Sequence, residues 1–217
     1  GLLYNSNIIP YDRATDSNWS QLLLKSVQGT LSGTQATTYN LIETTWKTWK
    51  KLYPSSQVVS NNTGYNRSYG VYPYGNYRVS DALLFPVNHS DDRLHPKERV
   101  LAVIAGDRAK AFRFSSLSAR NNLIIDTFQG MRFVVTGNED DNLMVAFPRV
   151  LKDGTVLEFQ AVDNHLPVVL TDQEGNRWDV FGRAVSGPRE GQTLEPVKHI
   201  MGYWFSFAAF YPGIGIF

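Results

Sequence analysis

The chain has 217 residues, 42% of them hydrophobic and 13% aromatic, enough for a sizeable core in one large domain or two small ones and too much for a disordered chain. Its net charge is +1 with Lys and Arg scattered, which excludes the concentrated positive surface that nucleic acid requires. It has no Cys, which removes thiolate catalysis, Cys-held zinc and disulfides together and suits a compartment where stray thiols would oxidise.

In chain order, Gly1–Pro10 reads as strand, Tyr11–Ser17 as a turn, and Leu22–Gln28 as a strand closed by the turn Gly29–Gly33. A strand to about Tyr39, a helix Leu41–Leu52 and a strand Gln57–Ser60 follow. Asn61–Glu98, rich in Asn, Gly, Tyr, Pro and Ser, reads as a long ordered crossing loop. Arg99–Ala105 and Ala109–Phe114 flank Gly106-Asp107-Arg108 as a hairpin, and Ser115–Arg120 is a polar turn or one helical turn. Asn122–Thr127, Met131–Thr136, Asn142–Val150 and Val156–Val162 read as strands, the last from its strict alternation. Pro167–Leu170 and Trp178–Val185 bracket the turn Asp172–Arg177, and Gln192–Val197 is a further strand. Lys198–Tyr211 reads as helix and Ile214–Phe217 as a closing strand.

The end of the chain repeats its beginning. At an offset of 158, Val27–Val59 lies over Val185–Phe217 without a gap. Seven of the 33 pairs are identical: Val27/Val185, Gly29/Gly187, Gly33/Gly191, Ile42/Ile200, Trp46/Trp204, Tyr53/Tyr211 and Pro54/Pro212. Average residue usage would give roughly two. A one-residue slip upstream also aligns Trp19 with Trp178. A repeat fixes architecture before any other reading. The expected fold is α+β, mainly β, with two related units that each carry a short Trp-bearing helix. The divisions are 1–60 for a first, truncated unit, 61–98 for the Tyr-rich connection and 99–217 for a second, complete unit, all in one compact domain. Because the hairpins of 99–160 occur once, copy one is expected to lack its front half, supplied by residues before Gly1 or by a partner on the open edge. Gly1 is read as a processed end or the middle of something longer. The 18 uncharged residues Ile200–Phe217 approach the length of a membrane span. The matching segment carries Glu43, Lys47, Lys50 and Lys51, and Pro212, Gly213 and Gly215 cut the helix short, so no span is expected in this chain.

Several strings then add a resemblance: LLYNSNIIPYDRATDSNWSQ, ETTWKTWKKLYP, NTGYNRSYGVYPYGNY, LHPKERVLAV, WDVFGRAVSGPREGQTLEP and YWFSFAAFYP. Together, and over nearly the whole chain, they resemble the family catalogued as domain of unknown function 3179 (DUF3179). The resemblance implies an extracytoplasmic location (periplasmic, secreted or cell-surface), with an upstream segment that often carries a Cys-Pro motif or a lipid anchor. It implies no activity.

Candidate sites are few. Tyr65, Tyr69, Tyr72, Tyr74 and Tyr77, with Asn66, Arg67, Asn76 and Arg78, offer the flat apolar area and polar handles that a glycan, small molecule or peptide needs; the plainer reading is that they pin the loop. His89, Asp91, Asp92 and His95 could share a proton or a metal, but their spacing aims them at no common point, and Lys97 and Glu98 read as a solvated or sheet-edge pair. The turn holding Asp172 lacks calcium-loop spacing and reads as an Asx turn. Asn138–Asp141 reads as a solvated hairpin tip, and the five Trp as core. No nucleophile elbow or phosphate loop is present. Arg67, Tyr69, Tyr72, Tyr74, Tyr77, His95, Asp172 and Arg183 are therefore the candidate ligand contacts, with no metal or cofactor expected and no catalytic residue selected. The favoured function is a non-enzymatic binding or structural module, with the uncharged C-terminal helix offered to a partner. The alternative is an enzyme or metal-dependent binder using the cleft between the units.

Overall fold

The computed structural model describes residues 2–217. Two central sheets lie back to back, and each is capped on its outer face. β1 (Leu2–Tyr4) and β2 (Asn7–Ile9) form a hairpin; β3 (Tyr11–Asp12), β4 (Ser17–Ser20) and β5 (Lys25–Gln28) form a first small stack. α1 (Trp46–Leu52) follows, then the long loop. β6 (Arg99–Ala105), β7 (Arg108–Arg113), α2 (Phe114–Ser118), β8 (Leu123–Phe128), β9 (Met131–Asn138) and β10 (Leu143–Pro148) make the centre. β11 (Phe159–Ala161), β12 (Val168–Asp172), β13 (Arg177–Asp179) and β14 (Ala184–Ser186) form a second stack, and β15 (His199–Tyr203), α3 (Trp204–Phe210) and β16 (Gly215–Ile216) close the chain.

The central strands are apolar on both faces, so both faces must be covered. Leu101, Val103 and Phe112 of the sheet β15-β6-β7-β16 meet Phe133, Val135, Met144 and Ala146 of the sheet β10-β9-β8. The alternate residues Val100, Ala102, Ile104, Ala109 and Ala111 face outward onto Trp204 and Phe207 of α3 and onto Leu22. On the other side Val134, Leu143, Val145 and Phe147 face Phe159, Leu170, Trp178 and Val180, with Ile42 and Leu52 at the margin.

The repeat is a repeat of structure. Ser26 N donates to Thr34 O and Gly33 N to Ser26 O, each at 2.9 Å; Ala184 N to Gln192 O and Gly191 N to Ala184 O repeat both at the same length. Leu31 N is bonded by the Ser17 hydroxyl oxygen, and its counterpart Arg189 N by the Asn176 side-chain carbonyl. The bulge at Asn18/Trp19 recurs at Arg177/Trp178. Tyr53 and Tyr211 end their helices with nearly the same backbone angles and the same 2.8 Å bond, to Trp49 O and Phe207 O. The first stack has three strands where the second has four.

The two helices are exchanged. Tyr211 of α3 donates its hydroxyl to Leu22 O at 2.6 Å, in the first stack. Tyr53 at the end of α1 packs on Phe181 of the second, with ring centres 6.3 Å apart. Each copy's helix thus ends against the other copy's stack.

Several sequence expectations are corrected. His199–Tyr203 is a strand, because β6 offers an unpaired edge that this segment completes, and the helix begins only at Trp204. α1 begins at Trp46, where Thr45 caps it by accepting from Thr48 N. Gln57–Ser60 forms no strand. Trp204 and Trp178 are fully buried, but Trp46 is 44% exposed. The helix sequences explain this: WFSFAAF is apolar on all sides and all seven residues are buried, whereas WKTWKKL is amphipathic and only Thr48 is buried. The C-terminal helix therefore finds its cover within the chain. No helix is long and apolar enough to cross a membrane.

The hairpin tip 138–141 is solvated only at Glu139 and Asp140. Asp141 is 6% exposed and holds α1 in place, taking bonds from Lys51 Nζ (2.7 Å) and Thr48 Oγ1 (3.2 Å), while its carbonyl accepts from Thr44 Oγ1 (2.6 Å). Burial pushes its carboxyl up, but the bonds from Lys51, Asn138 and Thr48 outweigh that and hold it below the ordinary 3.8. A depressed carboxylate contributes stability that is complete above its ordinary value and lost as pH falls through the folded-state value. α1 should stay docked down to about pH 4 and release below it, seen as loss of the Trp49 indole N–H resonance that is bonded to Ser56. Asp141→Asn should release α1 at neutral pH.

Gly29 and Gly187 sit at φ 94° and 102°, and a Cβ there would lie 2.0 Å from Asp16 O and 2.7 Å from the Asn176 backbone. Gly33 and Gly191 have open space around them. In urea unfolding, Gly29→Ala and Gly187→Ala should each cost about 3 kcal/mol or more, and Gly33→Ala and Gly191→Ala about 1–2 kcal/mol.

Candidate functional site

The Tyr-rich loop, free of helix and strand, is fixed by short turns such as Tyr77 N to Tyr74 O and Val79 N to Asn76 O. Its anchor is Lys97, at the entry to β6. Lys97 is 4% exposed, which corrects its reading as a solvated residue. Its ammonium donates to Ser80 O (3.0 Å) and Ala82 O (2.7 Å) and lies 3.8 Å from the Tyr77 ring centre, with Phe205 of α3 behind. No carboxylate touches it among the described residues. Burial pushes its pKa down, and Asp81 opposes this weakly. Two carbonyls and a ring face thus take the three N–H donors, and a buried cation holds a loop to the sheet.

Around it the loop aromatics form a chain. Tyr72 and Tyr74 are 5.6 Å apart and Tyr74 and Tyr77 6.5 Å, and the Arg78 guanidinium covers Tyr72 at 4.1 Å. Burial raises the Tyr77 hydroxyl. His95 Nδ1 accepts from Lys97 N at 3.0 Å, so Nε2 carries the proton toward Asp81 at 2.9 Å. Arg99 binds Asn142, and Glu43 at 2.7 Å. Together Arg78, His95, Lys97, Glu98, Arg99 and Glu139 line a cleft of about 500 Å³.

The structure therefore places Tyr77 and His95 against Lys97, while Tyr74 and Tyr72 follow along the loop, Tyr72 under Arg78. Arg67 and Tyr69 lie further along the loop, where Tyr69 bonds Thr63. Asp172 and Arg183 belong to the second stack. Asp172 is buried and accepts from Glu174 N, Asn176 N, the Asn176 amide and the Trp178 indole, which makes it the pivot of its turn. Arg183 is exposed at the β13–β14 turn. Among the described residues no three His, Asp or Glu side chains are grouped to hold one metal ion. Sequence reasoning missed Lys97 and Arg99 as site residues, because Lys97-Glu98-Arg99 reads as a run of surface charge.

Fold and cleft define a class: a mainly β module built on an internal repeat, with a charged cleft beside an aromatic loop. Within it, the chain belongs to the family described as "Protein of unknown function (DUF3179)", whose profile matches residues 1–214. No curated protein and no solved structure matches it.

Lys97→Met should strand two carbonyls and loosen the loop. The expected loss is about 2 kcal/mol in urea unfolding, with faster chymotrypsin cleavage at the half-exposed Leu84 and Phe85.

Proposed function

We propose that the chain is an extracytoplasmic binding module whose cleft beneath the Tyr-rich loop takes a small ligand through a carboxylate or phosphate group. One observation carries this: two cations of the cleft, Arg78 and Lys97, rest on aromatic faces and carbonyls and have no carboxylate partner among the described residues. With the Lys97 donors spent on carbonyls and a ring face, Arg78 is the group that can meet an anion, with a planar fork of donors. The faces of Tyr72 and Tyr77 are already taken by these cations, which favours an acidic ligand over a neutral sugar stacked on those rings. The Cys-free composition and the family resemblance support the location. The exchanged helices support reading 1–60, 61–98 and 99–217 as parts of a single compact domain.

Calorimetric titration with inorganic phosphate and with succinate tests the reading. Saturable binding by at least one, weakened about tenfold by Arg78→Gln, is expected. No binding by either, or equal binding by the variant, would overturn it.

A further inference from the structure

A second groove, of about 570 Å³, lies where the two copies meet. Its walls are the same segment twice. Thr38, Asn40, Leu41, Ile42 and Glu43 stand on one side, and their counterparts Pro196, Lys198, His199, Ile200 and Met201 on the other, with Met144 of β10 between. Helix exchange produces this arrangement, because the strap entering α1 and the strand entering α3 must pass each other.

The lining has a defined chemistry. Leu41, Ile42, Ile200, Met144 and Met201 make it largely apolar, and a groove of this size matches small-ligand sites at unit interfaces. Two thioethers are unbranched and polarisable and make favourable contacts with aromatic rings. Glu43 is already engaged by Arg99, so no unpaired carboxylate is offered, and Lys198 is exposed, so its ammonium keeps its water. His199 supplies the polar handle. Its Nδ1 lies 2.8 Å from Val197 O, which can only accept, so Nδ1 carries the proton and Nε2 is an acceptor with no protein partner among the described residues. Burial keeps this imidazole neutral by pushing its pKa down.

We propose that this groove is a binding site for an uncharged aromatic molecule bearing one hydroxyl or N–H donor, with the ring between Met144 and Met201 and the donor on His199 Nε2. It is independent of the Lys97 cleft, shares no lining residue with it, and stands if the anion reading fails.

The chain's three methionines make the test internal. Met144 and Met201 line the groove, whereas Met131 lies at a different surface hollow. In protein labelled with ¹³C at the Met methyl groups, phenol should shift Met144 and Met201 saturably and leave Met131 in place. Toluene, of the same shape without the donor, should bind about five- to tenfold more weakly. His199→Phe should abolish that difference while toluene still binds, and Ile42→Trp, which fills the groove from the strap, should remove both. Shifts that are absent, non-saturating or equal at all three methyls would overturn the proposal. So would a phenol preference that survives His199→Phe.

Discussion

Central strands that bury apolar side chains on both faces govern this structure. β6, β7, β9 and β10 bury one set of side chains against each other, and the alternate set still faces outward. Each large apolar side chain left in water would forfeit about 1.5–3 kcal/mol, so two outer faces need two covers. α3 with the first stack covers one, and the second stack with the margin of α1 covers the other. The covers come from opposite ends of the chain, which ties residues 2–60 to 99–217 through packing of large sequence separation.

The exchange of helices follows from that demand and also shapes the open features. Trp204 N donates to Glu98 O and Phe205 N to Pro96 O, so the start of α3 is stitched to the residues flanking Lys97. The buried ammonium is thus carried by the central sheet while its partners belong to the loop. A cation in such a place needs its donors met, and two carbonyls and a ring face meet them. Placing one lysine inside the fold thus pins the loop at Ser80 and Ala82.

Much of this was legible in the residues. The matched glycines 29 and 187, Trp19 with Trp178 and the Tyr-Pro pairs marked the repeat, and each supports the same backbone bond in both copies. The central hairpins were readable because alternation and turn residues act locally. The first part of Lys198–Tyr211 was misread because its sequence suits helix and strand alike, and only the neighbouring edge of β6 selects strand. The candidate site was legible in part. Tyr77 and His95 lie against Lys97, but Lys97 itself looked like an ordinary surface charge.

The sequence alone determined the central hairpins and that two stretches share a backbone. Those properties reside in local pattern and side-chain composition. Tertiary structure decided which helix covers which stack, that Asp141 and Lys97 are interior, and that His199 faces its counterpart strap across a groove. Such pairings join residues far apart in the chain, and the competition among buried faces that selects them leaves no periodic trace in either partner.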